Sequence, residues 1–407
     1  MAETARQAPA GTSAGRNQTH GGRHGLTAIF IEKEMRVAVD IRPLLEPQKA
    51  GVSLYALNLV RWLAKRGAYE YKLFCNSYGR DFPIDAPPED VNVKHYRKRW
   101  PNKLLNGCFA SCGLPRMDRM VGGADVLYLP NLNFAAAGCP TVVTVHDLSF
   151  FRYPEFFSPK QRLWHRLVDA NGMLKRASII VTVSKHTKHD VVETFGVDES
   201  RVRIVTPAVS GEFKPRGKER IVDVRRKYDL PKDFILYLGT LEPRKNVEGL
   251  ICAFGMADSD IDLVIAGGKG WMYDRIFRTA EKSPKRKRIH FLGYVDELDK
   301  PALYSAASAF VYPSFYEGFG MPALEAMACG TPVIAGHASS LGEVVGDAGL
   351  LVNPANHEEI SYAIDNILND EPLRERFRAK GMERAASFSW EKGAKELETA
   401  FADAVAY

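Results

Sequence analysis

Long apolar runs are missing from this chain. A membrane-spanning helix needs ~20 consecutive apolar residues, and stretches such as residues 178–183 with their neighbours fall far short. Cysteine is sparse as well. Cys75, Cys108, Cys112, Cys139, Cys252 and Cys329 are scattered, only Cys108 and Cys112 lie close together, and no second pair stands at zinc-ribbon spacing. Free, reduced thiols are the expectation, which places the chain in the cytoplasm rather than among disulfide scaffolds. A strong charge of one sign is also absent. The net charge of +6 over 407 residues gives no argument for nucleic acid as a partner, though it is compatible with acidic ligands or an anionic membrane surface. No Asp-x-Asp triplet stands at the end of a strand-like run, since "DSD" at 258–260 falls in a loop. No metal site and no cofactor are expected.

What is present is an ordinary globular composition, 45% hydrophobic and 26% charged, in a length that favours two domains over one core. Residues 1–34 are rich in Gly, Ala, Thr and Arg and read as a disordered tail ahead of Met35, with too short an apolar stretch for a secretory signal. From there the text alternates. "RVAVDI" at 36–41 is strand-like, "VSLYALNLVRWLAKRG" has helical spacing and stops at Gly67, and further strands are expected at 71–75, 91–95, 125–129, 141–145 and 179–183. Residues 211–232 read as an irregular, charged linker with Pro215 and Pro231. A second series then opens with "DFILYLG" at 233–239 and continues at 263–266, 290–292, 309–312 and 333–335. Such alternation builds parallel sheets covered on both faces. The expected fold is therefore α/β, with two doubly wound domains at 35–210 and 233–388 and a ligand in the cleft beyond their strand ends. A final amphipathic helix within 389–407 has Trp390 and Phe401 as anchors.

"FYEGFGMPALEAMACGTPVIA" at 315–335 poses a problem of placement: Glu325 sits among small apolar residues that read as a buried helix. A buried carboxylate is costly without partners, so the fold should supply one. Pro322 suits the first position of a helix, which sets Glu325 in its opening turn; there it either meets a ligand or complements the helix dipole. Gly318 and Gly320 around Phe319, with Met321 at the helix start, allow backbone amides to approach an anion. Arg244 and Lys245 follow the strand ending at Gly239, where they read either as cationic partners of a leaving phosphate or as a solvated basic loop.

The second half carries "GTLEPRKN" (239–246), "IAGGKGW" (265–271), "FLGYV" (291–295), "YPSFYEGFGMPALEAMACGTPVIA" (312–335) and "GEVVGDAGLLVNP" (342–354). With these motifs it resembles a retaining glycosyltransferase of family four, mannosyltransferase-like branch, with the GT-B fold. The resemblance implies two facing Rossmann-like domains, the first binding acceptor and the second the nucleotide sugar, with the C-terminal helix crossing back to the first. It also implies that the Glu-seven-Glu motif falls on Glu317, which contacts donor-sugar hydroxyls, and Glu325, which grips the ribose. Gly318, Phe319, Gly320 and Met321 would cradle the diphosphate beside Arg244 and Lys245. Gly239 and Thr240 (where many relatives have Arg), Gly267, Gly268 and Tyr294 would border the nucleotide. In the first half, "VTVHDLSF" sets His146 and Asp147 at a strand end facing the donor sugar, and Gly51 matches the family's glycine loop in part.

The activity this implies is transfer of a hexose, first mannose from GDP-mannose, to a hydroxyl of a saccharide or lipid-linked acceptor in cell-surface glycan assembly, without metal. A UDP-sugar donor is the alternative. A sugar-nucleotide epimerase, a phosphorylase and a catalytically silent binding protein are more distant readings. Two basic stretches, 95–117 and 159–176, carry Trp100 and Trp164 and suit either a peripheral contact with the inner face of the cell membrane or solvated helix faces.

Overall fold

The computed structural model describes residues 35–46, 51–79, 82–83 and 85–407, so the reading of residues 1–34 as a tail lies outside the described residues. Two sheets organise these residues. The first contains β1 Arg36–Asp40, β2 Glu70–Asn76, β3 Val93–Lys98, β4 Val126–Leu129, β5 Thr141–Val145, β6 Ile179–Thr182 and β7 Val202–Ile204. The second contains β8 Phe234–Leu238, β9 Asp262–Ala266, β10 Ile289–Gly293, β11 Ala309–Tyr312, β12 Val333–Gly336 and β13 Leu350–Val352. Their orders are β3-β2-β1-β4-β5-β6-β7 and β10-β9-β8-β11-β12-β13. The pairings are parallel. Strands buried on both faces carry apolar residues without alternation, and "FILYL" of β8 and "AFVY" of β11 are buried throughout.

Strand order reverses between β1 and β4 in the first sheet and between β8 and β11 in the second. At such a switch point the loops leaving neighbouring strands diverge to opposite faces and open a crevice at the carboxyl edge. The loop after β8 holds Arg244 and Lys245, and the loop after β11 holds Glu317. The fold therefore brings cations and carboxylate together from residues more than seventy positions apart.

The expected strands appear, β5 and β11 with the expected bounds and the others with shifted ends. β7 and β13 were not anticipated; each is only three residues long, too short to show a period. Residues 218–227, expected to be irregular, form the helix Lys218–Lys227. "KERIVDVRRK" buries only Val224, so its apolar stripe is too thin to announce a helix. Arg225 closes its end by donating to the carbonyls of Pro231 at 2.6 Å and Lys232 at 2.7 Å.

The last helix, Trp390–Ala406, starts at a Ser389 cap and lies on the first sheet. Its buried Phe401 meets Tyr128 of β4 edge-on at 5.5 Å, and Trp390 approaches Tyr55 at 5.8 Å. Ion pairs Arg66–Glu398 at 2.9 Å and Arg203–Asp403 at 2.8 Å border this contact. The chain thus returns to its first domain after completing the second.

Candidate active site

Beyond β8, a single turn of 3₁₀ helix at Pro243–Lys245 leads into the helix Val247–Met256. Between them Asn246 takes a left-handed φ of 56°. Its Nδ2 donates to the carbonyls of Pro313 at 3.1 Å and Pro354 at 2.6 Å, which locks the β8 loop against the β11 loop. Arg244 and Lys245 consequently point inward. Lys245 Nζ donates to Glu317 Oε1 and to the Tyr312 hydroxyl, both at 2.5 Å. Arg244 Nη1 donates to the Tyr316 carbonyl at 2.7 Å and to Glu317 Oε2 at 3.2 Å, while Nη2 donates to Glu242 Oε1 at 2.6 Å. Arg244 Nε is buried with no hydrogen-bond partner among the described residues.

Glu317 is 6% exposed. Burial opposes its ionisation, but Lys245 and Arg244 outweigh that and bring its carboxyl down to about 2. Burial, and then Arg244, draw Lys245 below the ordinary lysine range against the pull of Glu317 and Glu242. Oε1 of Glu317 accepts from Lys245, from Tyr312 at 3.0 Å and from Ser314 at 2.7 Å, whereas Oε2 has Arg244. Oε2 is therefore the oxygen with lone-pair capacity to spare.

Glu325 meets a different environment. The helix Met321–Ala328 begins at Gly320 with φ 103°. Pro322 occupies its second position and Glu325 its fifth, a correction to the expected first position and opening turn. The dipole's pull has faded there. Glu325, also 6% exposed, accepts at Oε2 from the Tyr304 hydroxyl at 2.9 Å. Burial pushes its carboxyl up to about 7, with Lys300 and the Tyr304 bond pulling partly the other way.

The turn between β11 and this helix touches the first domain. A Cβ at Gly318 would collide with the His146 carbonyl oxygen, so only glycine permits the approach. His146, half-buried at the end of β5, packs edge-on against Tyr55 at 4.9 Å. Its Nε2 lies 2.7 Å from the Pro130 carbonyl. A carbonyl can only accept, so Nε2 carries the proton and Nδ1 is the acceptor. Burial lowers this imidazole below the ordinary histidine range, which keeps it neutral near pH 7. Asp147 Oδ1 accepts from the Ser149 amide at 3.0 Å and hydroxyl at 2.6 Å, a local turn at the start of the helix Ser149–Arg152.

The other expected residues are distributed around this centre. Gly239 follows β8, and Gly267 (φ 138°) is explained by a backbone approach to Gly239, where a Cβ would strike the Gly239 carbonyl. Gly268 faces open space. Thr240 is exposed, with its carbonyl accepting from Tyr237 at 3.2 Å. Tyr294 is exposed just past β10. Phe319 points into the core against Phe388 at 5.5 Å, which leaves only its backbone facing the turn, and Met321 is half-buried. Gly51 opens the helix Gly51–Arg66, exposed and without close neighbours. Sequence reasoning missed Glu242, Tyr312, Ser314 and Asn246, although all four lie within "GTLEPRKN" and "YPSFYEGFG". The signal was their clustering at two strand ends, which becomes legible only once β8 and β11 are known to be neighbours.

Two doubly wound parallel domains meeting at their strand ends, with buried cations and a carboxylate at one switch point, define the class of GT-B proteins. Sucrose-phosphate synthase from Thermosynechococcus elongatus shares this fold with a TM-score of 0.70 at 22% identity, covering 90% of this chain and 98% of that one. Anabaena HepE, solved with UDP and glucose, gives 0.69 at 16% identity, covering 91% and 99%. Residues 222–384 match the model of glycosyl transferases group 1, and residues 50–213 match that of glycosyltransferase family 4. O-antigen chain mannosyltransferase B from Escherichia coli is 35% identical over 379 residues, 88% of this chain and 97% of that protein. The chain belongs to glycosyltransferase family 4.

Proposed function

We propose that this glycosyltransferase moves a mannosyl residue from GDP-mannose to a hydroxyl of a saccharide acceptor, free or lipid-linked, with retention at the anomeric carbon. The observation that carries the reading is the buried Arg244–Lys245–Glu317 cluster, taken with the 35% identity to a mannosyltransferase. In the step, the bond between sugar C1 and the diphosphate oxygen breaks, the acceptor oxygen bonds to C1 on the same face, and the acceptor proton passes to the departing phosphate. Negative charge grows on the diphosphate. Arg244, with its unpartnered Nε–H, and Lys245 are the groups that meet it, and preorganised donors of this kind are worth roughly 10²- to 10³-fold each. Oε2 of Glu317 takes a sugar hydroxyl, and Glu325 takes ribose hydroxyls at the oxygen that Tyr304 does not occupy. His146 Nδ1 faces the donor sugar as an acceptor. No metal ion is assigned a part, because these two cations fill the role.

A UDP-sugar donor is the second reading, favoured by neighbours of the same fold that were solved with UDP. Calorimetric titration with GDP, UDP, ADP and TDP, with and without magnesium, separates the two. Release of nucleotide only when acceptor is present separates transfer from epimerisation, and NMR of the product's anomeric carbon tests retention. An inverted product overturns the mechanism.

No helix among the described residues is long and apolar enough to cross a membrane. The helix Pro159–Val168 nevertheless exposes Leu163, Trp164 and Leu167 beside Lys160, Arg162 and Arg166. Residues 95–117 likewise expose Trp100, Leu104 and Leu114. Both patches suit shallow contact with anionic lipid at the inner face of the membrane. Co-sedimentation with phosphatidylglycerol vesicles, lost in Leu163→Asp and absent with phosphatidylcholine, is the expected result.

A further inference from the structure

The loop that carries Glu317 also carries a tyrosine whose side chain points away from the Arg244–Lys245–Glu317 cluster into the first domain. Tyr316 leaves the second domain and is 3% exposed, inserted among first-domain groups. Its hydroxyl donates to Asp190 Oδ2 at 2.5 Å and accepts from the Leu148 amide at 3.4 Å. Its ring lies 5.6 Å from those of both His186 and Tyr153. Asp190, 4% exposed in the helix Lys185–Phe195, is braced at Oδ1 by Arg152 Nη2 at 3.0 Å, and His186 Nε2 stands 3.3 Å from Oδ2. A buried carboxylate needs such partners, and here one of them comes from the other domain.

Two further ties join the same helix to the second domain. Thr187 Oγ1 donates to the Gly318 carbonyl at 3.1 Å, and the Glu343 carboxylate accepts from the amides of Lys185 at 3.0 Å and His186 at 3.3 Å. On its inner side, Tyr316 offers its carbonyl to Arg244 Nη1 at 2.7 Å and precedes Glu317, whose own amide donates to Ser339 Oγ at 2.8 Å. One residue thus holds the first domain with its hydroxyl and the buried arginine with its backbone.

We propose that Asp190 and Tyr316 form a latch through which engagement of the first domain positions Arg244 and Glu317 for transfer, with Asp190 acting as a positioning residue for a site in the opposite domain. This rests on the transferase reading for its catalytic consequence, but not for the latch itself. When the hydroxyl leaves Asp190, the carbonyl that fixes Arg244 loses its anchor. Small displacements of a positioned group lower turnover by one to two orders of magnitude, ~10- to 100-fold.

The test uses the full chain with Tyr316→Phe, which keeps the ring and its packing, together with Asp190→Ala, which removes the acceptor, and the double variant. Hydrogen exchange is read at the amides of Lys185 and His186, which bond Glu343 and not Tyr316, and at those of Lys245 and Phe315, which lie in the two strand-end loops. The latch predicts faster exchange at both places in either single variant and no further change in the double. Unchanged exchange at Lys185 and His186 overturns the latch, and unchanged exchange at Lys245 and Phe315 overturns its coupling to the site, whatever the donor proves to be. With GDP-mannose, the same variants should lose ~10-fold or more in kcat while GDP affinity stays within about twofold. Loss of GDP affinity with kcat retained contradicts positioning. Absence of any wild-type transfer contradicts the donor assignment alone, since the exchange readouts stand apart from it.

Discussion

Glu317 and Glu325 are equally buried and eight positions apart, yet they occupy opposite electrostatic regions. Around Glu317, Lys245, Arg244, Tyr312 and Ser314 converge on one carboxylate and hold it ionised down to about 2. Around Glu325, the small side chains of "MPALEAMA" and one tyrosine hydroxyl leave burial dominant, and the carboxyl rises to about 7. Burial alone therefore does not fix the state of a carboxylate. What fixes it is whether the backbone delivers charge to the same place, and the switch point between β8 and β11 delivers it to Glu317 only. The first carboxylate is part of a preassembled charge cluster. The second is held without a charge partner of comparable strength.

The largest effect that would break this contrast is removal of the cluster. Lys245→Ala should lower kcat by roughly 10²- to 10³-fold. Glu317→Ala should in addition destabilise the protein by about 3–5 kcal/mol, because Lys245 is left buried without its counter-charge and Arg244 keeps only Glu242. Denaturant unfolding checks this, and Glu317→Ala/Lys245→Met should recover part of the stability without recovering turnover. Equal stability of Glu317→Ala and wild type would dissolve the contrast.

Next in size is the pH behaviour of the second carboxylate. Folded Glu325 keeps its proton up to about pH 7, whereas the unfolded chain releases it near 4.5, so the folded state binds more protons between those values. Its contribution to stability is fully present below 4.5 and is lost as pH rises through 7, a loss of about 3 kcal/mol. Glu325→Gln should therefore raise the melting temperature relative to wild type at pH 8 and not at pH 5. Glu317 has the opposite sign: its contribution is present above 4.5 and is lost only as pH falls toward 2.

The smallest effect concerns a third carboxylate, Asp147, whose bonds to Ser149 are local. If that local turn is its main duty, Asp147→Ala costs about 1 kcal/mol, as loss of a cap does. A thermal melt measures it, and a loss of donor affinity instead would move Asp147 into the donor site.

Much of this was legible in the sequence, and the failures share a cause. Strands such as β5 and β11 match their expected bounds because both-face burial writes itself as an unbroken apolar run. The helix Lys218–Lys227 was hidden by its single buried valine, and β7 and β13 by their brevity. In the site, Arg244, Lys245, Glu317 and Glu325 stood out as charges beside strand ends or in apolar text. Their mutual pairing did not, because Lys245 and Glu317 meet only through the adjacency of β8 and β11, which periodicity along the chain does not report. Tyr316 escaped notice for the same reason: its partner Asp190 lies 126 positions away.

We propose that Glu325 binds nucleotide as an ionised group while Glu317 belongs to the transfer step. This assignment is tested most directly by calorimetric titration of GDP into wild type, Glu325→Gln and Glu317→Gln at pH 6 and pH 8. The terminal phosphate of GDP titrates near ~6 itself, so the informative quantity is the ratio of each variant to wild type. Wild-type affinity should exceed that of Glu325→Gln at pH 8, and the advantage should shrink about tenfold at pH 6, where most Glu325 is protonated; Glu317→Gln should follow wild type at both values. A Glu325→Gln variant that binds GDP as tightly as wild type at pH 8, or a Glu317→Gln variant that loses GDP binding instead, would contradict the assignment.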